Sequence, residues 1–212
     1  MMNLNKVVLL FCLLAVIACK KTKNPVVDVY VAGYEYNPSG VSVANVWKNG
    51  VITALTNGQQ NAYANSVYVS GNDVYVAGYE YNGSTDVAIL WKNGQVLYNL
   101  SQSNSIATSV FISGADVYVV GSEVNAGGNP VATLWMNGVA TTLTNGQKEA
   151  YANSIYVSGN DVYIAGYEYN AAGKTVAKVW KNGAETALTN GLEHVRALSV
   201  FVSGVDVYVS GY

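Results

Sequence analysis

From about residue 26 onward the chain is a succession of short apolar runs, each stopped by a pair containing Gly or Asn. Within a run the side chains alternate. Val74, Val76 and Gly78 fall on one face and Tyr75, Ala77 and Tyr79 on the other. Both faces are apolar, which predicts a strand in a sheet covered on two sides. No stretch after residue 20 keeps a helical period. The reading is all-β.

The runs repeat. Asp-Val-Tyr recurs at Asp28, Asp73, Asp116, Asp161 and Asp206, at spacings of 45, 43, 45 and 45. Trp recurs at Trp47, Trp91, Trp135 and Trp180, and Asn-Gly follows two residues after each, at Asn49, Asn93, Asn137 and Asn182. A Ser-Gly-X-Asp tetrad starts at Ser70, Ser113, Ser158 and Ser203. Residues 66–100 divide into four strands. Strand A is Ser66–Ser70, strand B Asp73–Tyr81, strand C Asp86–Lys92 and strand D Gln95–Leu100. Gly71-Asn72 and Asn93-Gly94 are tight hairpin turns. Asn-Gly is the strongest short hairpin signal, because a type I′ turn needs φ > 0 at both central residues. The Asp of Asp-Val-Tyr is expected to accept bonds from turn N–H groups.

One such meander cannot cover both its faces, so successive units are expected to stack face to face. Four strands in roughly 45 residues is the blade period of a β-propeller, whereas solenoid repeats are usually shorter. The apolar-Trp-X-Asn-Gly hairpin (Leu90 to Gly94), and the Ser-apolar strand that leads through a Gly turn to an apolar-Gly strand (Ser66 to Gly78), resemble kelch-like and HAF-type extracellular propeller repeats. The resemblance covers nearly all of residues 26–212. It lacks the double glycine of kelch blades and the Trp-Asp signature of another propeller family. It implies a secreted β-propeller of four-stranded antiparallel blades and no particular activity. About four to five blades are expected. The first opens at strand B (Val27–Tyr36), and the last holds only strands A and B (Leu198–Tyr212). Two readings follow: the last strand A completes the first blade, or the chain is a fragment of a larger propeller.

The beginning of the chain follows another pattern. Lys6 precedes an uncharged, mainly apolar run, Val7 to Ala18, too short for a bilayer span of about 20 residues. It fits a signal peptide. Val16-Ile17-Ala18-Cys19 resembles the lipobox of bacterial lipoproteins. That resemblance implies a signal peptide over 1–18, diacylglycerol on the Cys19 thiol, and residues 19–25 as lipidated Cys and tether. The partner is then the membrane, and the location the bacterial cell envelope, with the outer membrane favoured by analogy. Only Cys12 and Cys19 are present, so the mature repeat domain, 26–212, has no internal disulfide.

Composition narrows the function. The whole chain carries a net charge of −2, and without the four lysines before residue 24 the remainder has seven basic against thirteen acidic residues. An acidic surface with no basic stripe argues against nucleic acid. No cofactor motif, no clustered His or Cys, and no Gly-X-Ser-X-Gly elbow is present.

In a meander the A–B and C–D turns share one rim, and the B–C and D–A connections the other. The first rim is uniform from repeat to repeat. The second varies: Tyr63 aligns with Ile106, Tyr151 and Arg196, and Asn61 with Asn104, Glu149 and His194. Function tends to sit on loops held by a rigid scaffold. Tyr63, Tyr151, His194 and Arg196 are therefore the candidate ligand-binding residues. Glu35, Glu80, Glu123 and Glu168 recur near the end of strand B. Four carboxylates around an axis would suit sugar hydroxyls or a cation, with tyrosines beside them as stacking faces. The leading expectation is a binding module for a glycan, peptide or protein. A polysaccharide lyase or hydrolase using the Glu residues, and a spacer without a ligand, are the alternatives.

Overall fold

The computed structural model describes residues 27–212. The expected signal peptide, Cys19 lipidation site and tether lie outside the described residues. Every element among those described is a strand, and the strands form five separate antiparallel sheets in chain order. Sheet 1 has three strands, β1 (Tyr30–Tyr36), β2 (Ser42–Lys48) and β3 (Val51–Ala54). Sheet 2 holds β4 (Ala62–Ser70), β5 (Asp73–Tyr81), β6 (Asp86–Lys92) and β7 (Gln95–Asn99). Sheet 3 holds β8 (Ser105–Ser113), β9 (Asp116–Val124), β10 (Pro130–Met136) and β11 (Val139–Thr142). Sheet 4 holds β12 (Ala150–Ser158), β13 (Asp161–Tyr169), β14 (Thr175–Lys181) and β15 (Ala184–Ala187). Sheet 5 is the pair β16 (Ala197–Ser203) and β17 (Asp206–Gly211). Each is a meander in which every strand pairs with its sequence neighbour.

The hairpin chemistry is as expected. Asn49, Asn93, Asn137 and Asn182 take φ of 51–52°, and the glycines that follow 81–83°. The repeated Asp does something else than expected. Pairing of strands B and C sets the A–B turn beside the C–D turn, so Asp73 Oδ1 accepts the Asn93 side-chain amide at 2.8 Å, and the Val74 N–H donates to Asn93 Oδ1 at 2.9 Å. Lys92 closes the clasp on Asp73 at 2.8 Å. Asp28 with Asn49 and Lys48, and Asp161 with Asn182 and Lys181, repeat it. Asp116 keeps Asn137 but faces Met136 where the others have Lys.

Strand A is longer than the Ser66–Ser70 run suggests. In β4 it begins at Ala62, because the chain passes through a bulge at Asn65 and pairs again beyond it. Thr108, Asn153 and Leu198 occupy the same bulge in β8, β12 and β16. The bulge brings a carbonyl against strand B, and a glycine must stand there. A Cβ on Gly78 would overlap the Tyr63 carbonyl oxygen, and Gly121, Gly166 and Gly211 stand in the same way against Ile106, Tyr151 and Arg196.

The core lies between sheets, in a series of like junctions. Trp91 packs with Ala44 and Val46 of sheet 1, Trp135 with Tyr75 and Leu90 of sheet 2, and Trp180 with Tyr118 and Val120 of sheet 3. These three indoles are at most 1% exposed. Sheets 4 and 5 meet through Ala165, Ala177, Ala197 and Val200. Close backbone approach between neighbouring sheets falls on the A strands, β4, β8, β12 and β16, and none of comparable extent falls on the D strands. The sheets thus converge along strand A and splay outward. Polar lashings hold that inner edge. The Asn65 amide donates to the Ala107 carbonyl, Thr108 Oγ1 to that of Ala152, and the Asn153 amide to that of Ala197, at 2.7–2.8 Å. The far sides of sheets 1 and 5 are uncovered among the described residues.

Candidate functional site

The start of strand A places the varied residues. Ala62 and Ala64 are buried and pin the strand between sheets, so Tyr63 between them is left half-exposed. Its ring stacks on Tyr79 of the paired strand, with centroids 4.9 Å apart, and meets Tyr34 of sheet 1 edge-on at 4.7 Å. Tyr34 in turn lies edge-on to Tyr36 at 5.6 Å. The four tyrosines make a continuous aromatic row across sheets 1 and 2. Burial, then the carboxylate of Asp86, pushes the Tyr79 hydroxyl up to about 12. It stays a neutral donor over the physiological range.

A second cluster forms on sheets 4 and 5. Tyr151 stacks on Tyr167 at 5.0 Å, and its hydroxyl donates to Glu149 Oε2 at 3.2 Å. Burial, then Glu149, pushes that hydroxyl up to about 12. The Arg196 guanidinium lies over the Tyr167 ring, 4.7 Å from its centroid, within cation–π range. Tyr169 completes the group, edge-on to Tyr167 at 6.1 Å. The two clusters flank sheet 3, where Ile106 and Ser122 replace the paired tyrosines.

The structure therefore brings Tyr63, Tyr151 and Arg196 into aromatic clusters, with two candidates in one of them. His194 has a local task. Its Nδ1 accepts the Thr175 N–H at 3.3 Å, just as Asn61 Oδ1 accepts that of Ser42 at 3.0 Å. That geometry places the imidazole proton on Nε2.

The four glutamates lie on the opposite side of strand B from Tyr79 and its counterparts, and each has its own surroundings. Glu35 is exposed. Glu80 lines a cleft of about 330 Å³ with Gln60, Asn82, Asn99 and Gln102, and burial raises its carboxyl. Glu123 accepts from Ser101 Oγ at 2.6 Å. Glu168 pairs with the buried Lys178, which also reaches Glu185 at 2.6 Å. Burial pulls the Lys178 ammonium down, but Glu168 and Glu185 outweigh it and leave it raised. Among the described residues no three His, Cys, Asp or Glu side chains lie close enough to hold a metal.

The tyrosines that flank the glutamates, Tyr34, Tyr79 and Tyr167 among them, were expected as stacking faces, but alternation alone does not say that they meet strand A of their own or the next sheet. A second aromatic row, Tyr68, Phe111, Tyr156 and Phe201, crosses the A strands near the uniform rim, with centroids 4.9–5.2 Å apart. Its signal was an aromatic two residues after the Ser of every strand A.

No protein-family model and no curated protein matches the sequence. Among solved structures, the chain is similar to the computationally designed Ika8 protein, at 17% identity and a TM-score of 0.44. That match covers 84% of this chain, which spans about half, 54%, of the designed one. It is also similar to the designed Ika4 protein, at 16% identity and a TM-score of 0.41, over 70% of this chain and 84% of that one.

Proposed function

We propose that this chain is an envelope-anchored β-propeller whose varied rim binds a glycan. The observation that carries the reading is the pair of tyrosine clusters at the start of the A strands. A sugar ring presents apolar C–H faces and a fringe of hydroxyls. Exposed tyrosine faces take the first, and phenol, carboxylate and amide groups the second. Tyr34 and Tyr36 are exposed beside Tyr63, and Arg196, Tyr169 and Glu149 frame Tyr151. Rings locked against one another lose little rotamer entropy on binding. The converging sheets, with strand A innermost, support the propeller reading. Lipid anchoring at Cys19 rests on the lipobox-like run.

The test is a glycan array probed with the full chain, followed by calorimetry on any hit. Binding that weakens at least tenfold in Tyr63→Ala or Tyr151→Ala, with unchanged circular dichroism, is the expected result. A blank array, or a hit indifferent to both substitutions, refutes the reading. Turnover of a bound polysaccharide that vanishes in Glu80→Gln would move the protein to the lyase or hydrolase class.

A further inference from the structure

The connections from strand D to the next strand A are alike in all sheets but one. After the Leu that follows strand D in sheets 1, 3 and 4, residues 56–60, 144–148 and 189–193 open with Thr-Asn-Gly. In sheet 2 residues 101–103 take their place as Ser-Gln-Ser, two residues shorter and without glycine. The glycine of the longer connections has a fixed task. Its carbonyl accepts the side-chain amide of the B–C loop Asn, from Asn37 to Gly58, Asn125 to Gly146 and Asn170 to Gly191, each at 2.9 Å. It also lies against the Val near the start of strand C, at Val43, Val131 and Val176. Sheet 2 has no glycine to make either contact. Asn82 Oδ1 still accepts the Ser84 and Thr85 N–H groups, but its amide donates to nothing among the described residues. Asn82 and Val87 line the cleft of about 330 Å³ instead.

The carboxyl in that cleft is the second departure. Its counterparts show what this position takes. Glu168 is met by the Lys178 ammonium, which rises from the strand C position that Ile89 holds in sheet 2. Glu123, beside a smaller cleft of about 190 Å³, accepts the Ser101 hydroxyl at 2.6 Å. Glu80 is partly buried, and no side chain among the described residues donates to it. A carboxylate drawn from water without a partner is costly.

We infer that the sheet 2 cleft is a second binding site, for a ligand that carries a primary ammonium beside hydroxyls, the chemistry of an amino sugar. The ammonium meets Glu80 as Lys178 meets Glu168, in a charge-assisted bond. The free Asn82 amide donates to a hydroxyl oxygen. Asn99 and Gln102 at the edge of the cleft offer further amides, which both donate and accept, and Val87 and Ile89 supply an apolar floor. No lysine or arginine lines the cleft, so the carboxylate of an amino acid would find no partner there. Glu80 points to the opposite side of strand B from Tyr79, so the site uses none of the clustered tyrosines and goes beyond the glycan reading of the rim. A blank glycan array and a failed test of this cleft are separate results.

Titration of the isotope-labelled full chain with glucosamine, followed by nuclear magnetic resonance, tests it. Saturable shifts are expected in the Asn82 and Gln102 side-chain amides. Glucose and N-acetylglucosamine, which lack the charge, should bind about tenfold more weakly or not at all. Glu80→Gln, with the dispersed spectrum of the parent, should lose the glucosamine response. Ile89→Lys should lose it too, because an internal ammonium then meets Glu80. No saturable shift with glucosamine overturns the inference, as does an equal response to glucose or a response that survives in Glu80→Gln.

Discussion

At the scale of single residues, the glycine of strand B is the sharpest constraint. Gly78 faces the carbonyl of the strand A bulge, and a methyl group there has no room without moving backbone. Gly78→Ala is expected to cost roughly 3 kcal/mol, read by urea unfolding. Gly33 stands at the same repeat position with no strand A beside it among the described residues, and a Cβ there would meet only the edge of Trp47, at 3.2 Å. Gly33→Ala should change stability by less than about 0.5 kcal/mol. Equal costs would mean that the bulge carbonyl is not what excludes a side chain. This constraint was half legible in the sequence. The glycine is plain in every repeat, and so is an Ala-X-Ser run at the bulge, from Ala64-Asn65-Ser66 to Ala197-Leu198-Ser199, but nothing local says that its middle residue leaves the ladder. The same gap hid where strand A begins, since Ala62 and Ala64 pair across a break in alternation.

At the scale of elements, the clasp between the A–B and C–D turns ties sheet stability to pH. Bonds from Lys92 and Asn93 hold the Asp73 carboxyl below its ordinary 3.8. Its contribution is present above that value and is lost as pH falls through the lowered one. Glu80 runs the other way. Burial raises its carboxyl above the ordinary 4.5, so its contribution is present below 4.5 and lost as pH rises through the raised value. Glu80→Gln is expected to remove that second limb and leave the acid limb intact in a plot of melting temperature against pH. A plot unchanged by the substitution would mean that the carboxyl is solvated. Strands B and C and the Asn-Gly turns were fully legible, because alternation and turn chemistry are local. The partner of Asp was not, because it depends on which two turns the register sets side by side. The glutamates looked alike in sequence for a similar reason: only packing decides that Glu168 receives Lys178 while Glu35 meets water.

At the scale of the whole molecule, stability is a sum over junctions between neighbouring sheets. Trp135 sits fully buried in one, so Trp135→Ala should cost roughly 3–5 kcal/mol. Trp47, half-buried on an open face, should cost about 1–2 kcal/mol in dilute solution. Denaturant titrations measure both. The sameness of the junctions has a further consequence for how the chain finds its fold. Sheets this alike offer one another wrong neighbours that satisfy most of the right contacts, so a mismatched stack is a trap only slightly shallower than the native one. What tells the sheets apart is the small set of departures from the pattern: Met136 in place of a clasp lysine, Thr108 in place of Asn, and Lys178 reaching two carboxylates where other sheets carry Asn45, Ile89 or Thr133. These odd residues act as keys in otherwise interchangeable locks, and making the repeats identical would slow the chain's search even as it evened out the packing.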